Sequence, residues 1–387
     1  MAGSVTKSGG LHAGAVLTID LNAVRWNYRF LRGKLSARVR CGAVVKADAY
    51  GLGAQHIGPV LHAEGCRDFF VAHLDEGLRL SPHLSGASIY ILNGLPSGSE
   101  ADCAEAGLVP VLNSLDQCHA WSMRARNLGK MLPAAIQLDS GMNRLGLSQR
   151  EIAGWVKGGS QLAGVDIRFV MSHLACADTP SHAANAMQLA RFRRLAEHFP
   201  GLPRSLANSA AIFLGKDFHY DVVRPGAALY GVNPVPARNN PMRAAVRLSA
   251  VVIQVREADK GDHVGYGWDY RSGGATRLAT LSIGYGDGLH RALGKGGVVH
   301  FEGHPLPIAG RVSMDSITVD VSELSPDRLG AGSRVEVIGN HQSVDDLAAA
   351  MGTIGYEVLT GLGHRYERNY VGAAEVSRAE LVGELQA

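Results

Sequence analysis

Residues 41–113 decide the fold: CGAVVK (41–46), FFVAH (69–73), IYILN (89–93) and VPVLN (109–113) alternate with stretches of helical character. The same rhythm continues through AAIQLD (134–139), IRFVMSH (167–173), RSLAN (204–208) and VVRPG (222–226). Apolar runs without alternation, separated by helices, indicate parallel strands covered on both faces. Eight such units point to a closed (β/α)8 barrel rather than an open doubly wound sheet. The seventh and eighth crossovers read as short. Upstream, VLTIDLNAVRWNYRFL (16–31) reads as a short strand passing into an amphipathic helix, with Val24, Tyr28 and Leu31 on one stripe. Residues 1–15 are small and polar and read as a flexible N-terminus.

The texture changes after PVPARNNPM (234–242), a linker candidate rich in Pro and Asn. VRLSAVVIQV (246–255), TRLATLSI (276–283), SITVDVS (316–322) and RVEVIG (334–339) alternate with period two, and one late helix fits Val344–Met351. The fold class read from this pattern is α/β, an N-terminal (β/α)8 barrel over 16–238 followed by a C-terminal mostly β domain over 239–387.

Composition excludes several classes. Lys plus Arg is 38 against 35 for Asp plus Glu, giving +3 without a basic run, so no nucleic-acid partner is expected. No apolar run approaches the length of a membrane span. The start, MAGSVTKSGGLHAGAV, lacks the apolar region of a secretory signal. Cys41, Cys66, Cys103, Cys118 and Cys176 are odd in number and contain no C-x-x-C pair, so the chain reads as cytoplasmic. There is no P-loop, no G-x-G-x-x-G after a strand and no H-E-x-x-H, and the histidines are not at metal spacing. The 48 glycines suggest many tight loops around a site.

Barrels of this kind place their chemistry at the C-terminal ends of the strands. Lys46 ends the first strand among apolar neighbours. Desolvation there would lower its pKa and suit a Schiff base with a carbonyl cofactor, while a strand-end lysine extending to water is the plainer reading.

The wider sequence bears on that choice. AVVKADAYGLG (43–53) resembles the pyridoxal-phosphate lysine motif of alanine racemases, a fold-type III family. LTIDLNAVRWNYRFL, LDSGMNRLG (138–146), MSHLACAD (171–178), LANSAA (206–211) and VRPGAALYG (223–231) resemble further family segments in order and spacing. GYGWDY (265–270), SIGYGDG (282–288) and GRVSMD (310–315) do the same in the β domain.

The resemblance implies that Lys46 carries pyridoxal 5'-phosphate as a Schiff base and serves as one of two bases, with Tyr266 on the opposite face. Two groups alternating as acid and base invert Cα without moving the substrate. A free phenol titrates near 10, so such a tyrosine has to be tuned downward. His173 matches the histidine that lies against the ring and connects to that tyrosine. Arg224 matches the arginine facing the pyridine nitrogen; it can only donate, which favours proton return over transamination. Arg144 would contact the phenolic oxygen and orient the substrate carboxylate. Asn208, Ser209, the backbone N–H groups of Gly226 and Ala227, Tyr50 and His364 would hold the phosphate. Met314 and Asp315 match a loop that contacts the substrate carboxylate and crowds its side chain, favouring alanine. In the family, Tyr266 and Met314 belong to the partner subunit's site, which implies a homodimer.

The chain departs from the family pattern at four positions. Gln137 stands where many members carry a carbamylated lysine, so activity is expected to be independent of bicarbonate. It can accept one hydrogen bond from Arg144 but brings no charge. His364 replaces a phosphate-contacting tyrosine, Ser205 a histidine supporting the pyridine-facing arginine, and Leu52 a frequent histidine. The alternatives are a broad-specificity or serine-accepting racemase and a non-catalytic cofactor-carrying barrel. Fold-type III decarboxylases share the architecture, but the GYG and RVSMD strings point away from them.

Overall fold

The computed structural model describes residues 12–157 and 162–372, which divide into two compact units. One comprises Val24–Arg243, and the other joins the N-terminal residues up to Ala23 to the chain from Ala244 onward.

The Val24–Arg243 unit is the barrel. Its first strand is split into Arg40–Cys41 and Ala43–Val44. Asp68–Val71, Ser88–Ile91, Val109–Leu112, Leu132–Gln137, Val165–Met171 and Arg204–Ser205 follow, each parallel to its predecessor. The eighth, Val222–Val223, pairs in parallel with Arg40–Cys41. Arg224 N donates to Ala207 O at 2.8 Å and Val44 N to Pro225 O at 2.8 Å, so the hydrogen-bonded ring closes. Phe70, Tyr90 and Phe169 come from three different strands, yet their rings meet with centroids 4.8 and 4.9 Å apart. They therefore point inward and fill the barrel, as the packed cores of such barrels require. The last crossover holds two short 3-10 turns, Ala211–Phe213 and Lys216–Phe218, in place of an α-helix.

The second unit is mostly β, and it contains the short strand read at the head of 16–31. Ala15–Asp20 pairs antiparallel with Val246–Ala258 and parallel with Glu367–Val371. It is a central strand with most of its side chains buried. The compact unit that holds the barrel strands runs from Val24, within helix Leu21–Gly33, to Arg243, beside bounds of 16–238 read from the sequence. The flexible terminus expected over 1–15 does not hold at Ala15, where this strand begins, and residues 1–11 lie outside the described residues. Val246–Ala258 also pairs with Arg334–Ile338 and Thr276–Leu281, shifting register near Leu248 and between Val252 and Gln254. Such irregularities bend a strand and let its two ends serve different partners. The late helix Val344–Met351 forms where expected, with Ser343 Oγ accepting from Asp346 N at 3.1 Å.

Candidate active site

Lys46 stands directly beyond the first barrel strand, and the backbone after it turns the wrong way. Ala47, Asp48, Ala49 and Tyr50 have φ between 51° and 58°, a left-handed turn built without glycine. Each L-residue there costs on the order of 1–2 kcal/mol, so its surroundings must hold it. Ala49 N closes back on Val45 O at 2.8 Å, Asp48 Oδ1 accepts from Ala54 N at 2.7 Å, and Glu76 Oε1 accepts from Ala47 N at 2.7 Å.

Four cationic or ionisable groups converge around this turn. Burial lowers the Lys46 ammonium from its usual range; Arg144 pushes the same way and Glu76 opposes them. Burial, with Arg224, Arg144 and Lys46 nearby, pushes His173 down to about 3, so its imidazole is neutral at physiological pH. Burial pushes Arg224 down to about 9, which leaves it protonated near neutrality. Lys46, Arg144, His173 and Arg224 therefore share one electrostatic neighbourhood at the mouth of the barrel.

Arg224 is only 3% exposed, and its guanidinium is anchored. One nitrogen donates to Ser205 Oγ and Nη2 donates to Ser172 O at 2.6 Å. Ser205, in the place of the expected histidine, supports the arginine through a hydroxyl. Arg144 lies on a loop whose backbone is fixed by Asp139: Oδ1 accepts from the N–H groups of Gly141, Met142 and Asn143 at 2.9–3.1 Å. The hydrogen bond envisaged between Gln137 and Arg144 is not formed. Gln137 is buried, and its Nε2 donates instead to Leu145 O at 3.0 Å, because the chain returns beside its own strand.

Of the residues assigned to phosphate, Asn208, Ser209, Gly226 and Ala227 gather at the ends of the seventh and eighth strands. Asn208 Oδ1 accepts from Ala211 N at 3.0 Å, and Ser209 Oγ accepts from Gly226 N at 2.9 Å and Ala228 N at 3.3 Å. Ala227 is buried beside them at the start of the 3-10 turn Ala227–Tyr230. A Cβ on Gly226 would lie 2.5 Å from Tyr50 Oη, so glycine is what lets the tyrosine hydroxyl pack into this corner. A serine hydroxyl and a phenol beside the start of a 3-10 turn are groups of the kind a phosphate needs, while the Gly226 N–H is held by Ser209 Oγ.

The remaining expected residues lie in the β unit. Tyr266 is on a 3-10 turn, Tyr266–Trp268, and is 71% exposed. Arg311 pairs with Asp269 beside that turn. Met314 is 54% exposed on a loop strapped to its neighbour: Tyr285 N donates to Ser313 O at 3.0 Å and Gly286 N to Met314 O at 2.8 Å. A side chain at Gly284 would strike those carbonyls, at 2.4 Å. Asp315 accepts from Arg365 Nη1 at 2.6 Å, and Arg365 also grips Asp287 at 2.8 and 2.9 Å. His364, next in sequence, is exposed.

Sequence reading missed Glu76, Asp139, Ser172 and Arg365. Each acts through backbone groups or through another charged side chain. Only Glu76 left a local signal, an acidic residue in the first turn of a helix that follows a barrel strand.

A closed parallel barrel with a desolvated lysine, a neutral histidine and a buried arginine at its mouth, joined to a β unit, is the architecture of a barrel enzyme. Family models match both parts: "Alanine racemase, N-terminal domain" over residues 19–234 and "Alanine racemase, C-terminal domain" over 245–370. A protein named catabolic alanine racemase from Mesorhizobium japonicum is 52% identical, covering 93% of this chain and 94% of its own. An alanine racemase from Brucella canis is 50% identical with the same coverage. The crystal structure of alanine racemase from Bartonella henselae with covalently bound pyridoxal phosphate is 43% identical, with a TM-score of 0.89, and covers 93% of this chain and 100% of that one. The chain belongs to the alanine racemase family, whose members are isomerases.

Proposed function

We propose that this protein is a pyridoxal 5'-phosphate-dependent alanine racemase that interconverts L- and D-alanine with Lys46 and Tyr266 as its two bases. The observation that carries this reading is the convergence of Lys46, Arg144, His173 and Arg224 at the mouth of the barrel. The glycine-walled corner of Tyr50, Ser209 and Gly226 fits the cofactor's phosphate.

Lys46 would hold the cofactor and Arg224 would donate to its ring nitrogen. Ser209, Asn208, Tyr50, His364 and the N–H groups of Gly226 and Ala227 would hold its phosphate. Bound pyridoxal phosphate supplies an electron sink that makes the α-proton of an amino acid removable. Burial and the Arg144 charge raise the neutral fraction of Lys46, which suits Nζ to take or return that proton on one face. Tyr266 Oη serves the other face. His173 remains neutral among three cations, so it is free to accept a hydrogen bond without adding charge. Arg144, always a donor, orients the substrate carboxylate. Met314 and the Asp315 backbone bound the space for the side chain, which favours alanine.

Tyr266 and Met314 act in the partner subunit's site, so the working unit is a homodimer. Activity per chain should then fall as the dimer dissociates on dilution, and full activity from a monomer would overturn this. Five unpaired cysteines suit the cytoplasm. Among the described residues no helix is long and apolar enough to cross a membrane. The reaction runs in both directions, so it serves supply of D-alanine for peptidoglycan or its consumption. The test is chiral analysis of L-alanine incubated with the cofactor-loaded chain. D-alanine should accumulate to the racemic mixture; its absence, together with borohydride fixing no cofactor on Lys46, would refute the proposal.

A further inference from the structure

One carboxylate of the barrel is tied to three backbone N–H groups on two adjacent strand ends. Glu76 Oε1 accepts from Ala47 N at 2.7 Å, and Oε2 accepts from Ala72 N at 2.6 Å and His73 N at 3.2 Å. Ala47 N belongs to the peptide bond that leaves Lys46. Ala72 and His73 directly follow the second barrel strand, Asp68–Val71. That strand already meets the first through Val45 N and Phe70 O at 2.8 Å. The carboxylate therefore continues the strand pairing past the point where the backbone of Ala47–Tyr50 turns left-handed and can no longer pair.

We propose that Glu76 is a positioning residue for Lys46: it clamps the strained turn to the second strand and fixes where the lysine amine is presented. This rests on the reading that Lys46 carries the cofactor. Two physical consequences follow. The left-handed turn is held against its own conformational cost by a charge-assisted hydrogen bond at its first residue. The anion also opposes the lowering of the Lys46 charge by burial and by Arg144, so the lysine's basicity is set between opposing neighbours. Other groups around this pair are His173, which shares the charge neighbourhood, and Asp48 and Arg79, which line the same cleft as Glu76. Arg79 is itself paired with Asp75 at 2.9 Å.

The test uses the full-length, cofactor-loaded protein with Glu76→Gln, Glu76→Asp and Glu151→Gln. Glu151 is the control because its carboxylate likewise caps a barrel helix, Gln149–Lys157, accepting from Ser148 N at 2.7 Å. Borohydride reduction and peptide mapping come first. If wild-type protein yields no cofactor adduct on Lys46, the underlying assignment fails rather than this one. With the adduct present, Glu76→Gln should lower kcat by roughly tenfold to a hundredfold with little change in KM, as for a misplaced reacting group. It should also move the pH midpoint of the cofactor's visible absorbance downward, because an anion that stabilises a protonated nitrogen is gone. Glu151→Gln should change neither. A Glu76→Gln protein with wild-type kcat and absorbance midpoint would overturn the proposal, as would one matching Glu151→Gln. Should Glu76→Gln not fold, Glu76→Asp supplies the reading: it keeps the charge but cannot span both strand ends. Loss of kcat there supports the clamp, and wild-type kcat contradicts it.

Discussion

Ser205 Oγ accepts a hydrogen bond from Arg224 and donates its own to Val222 O at 2.6 Å. All three groups are buried at the closure of the barrel, where the seventh and eighth strands meet. Ser205→Ala would leave a buried cation short of an acceptor and a carbonyl short of a donor. The expected loss is about 2 kcal/mol, since a hydrogen bond to a buried charged group is worth roughly 1.5–3 kcal/mol and Arg224 keeps Ser172 O as an acceptor. Urea unfolding measures it, and a change under about 0.5 kcal/mol, typical of surface sites, would show that Arg224 is held elsewhere.

His173 links stability to pH in the direction opposite to a salt-bridged histidine. The unfolded chain takes up a proton below about pH 6.5, whereas the folded site excludes it until about 3. Stability from this group is complete above pH 6.5 and falls as the pH drops through that window, by up to about 1.4 kcal/mol per unit. Cofactor-free wild type should therefore lose stability between pH 6.5 and 4 more steeply than His173→Asn. Parallel pH profiles for the two proteins would contradict this.

The turn after Lys46 predicts an unusual glycine substitution. Ala47 has φ 51° and is exposed. Ala47→Gly relieves on the order of 1–2 kcal/mol of left-handed strain against about 0.5–1 kcal/mol of added chain entropy. The melting temperature should hold or rise. Ala349→Gly, at an exposed position of helix Val344–Met351, should lose about 1 kcal/mol. Equal losses in both variants would mean that the turn carries no strain.

Gln137 is buried and hydrogen-bonded to Leu145 O, and as an amide it has no amine that carbon dioxide could modify. Activity in carbon dioxide-free buffer should match activity with added bicarbonate. A clear gain on adding bicarbonate would place a carbamate elsewhere in the site.

The barrel was legible because eight buried strands between helices leave a pattern that few other folds share, and all eight runs form barrel strands. The strand and helix read over 16–31 form as Ala15–Asp20 and Leu21–Gly33, but the bounds read for the barrel took that strand in, because only its distant partners Val246–Ala258 and Glu367–Val371 show which sheet it joins. The hairpin Val298–Phe301 and His304–Pro307 also escaped notice, since two prolines in a four-residue strand break the usual signal. At the site, Lys46, His173 and Arg224 were readable from motifs at strand ends. Glu76, Asp139 and Ser172 were not, because they act on backbone groups that the fold, not the local sequence, brings near. Gln137 shows the limit in reverse: the residue was noticed, but its partner depended on how residues 138–147 fold back on their own strand.

The proposed reaction moves a proton on two faces, one served by Lys46 and one by Tyr266, and deuterium reports each face. L-alanine incubated in D₂O with the loaded enzyme should yield D-alanine labelled at Cα. Lys46→Ala should lose both label and inversion, whereas Tyr266→Phe should lose inversion while one enantiomer still exchanges its α-proton. Full racemisation by Tyr266→Phe would contradict the two-base account.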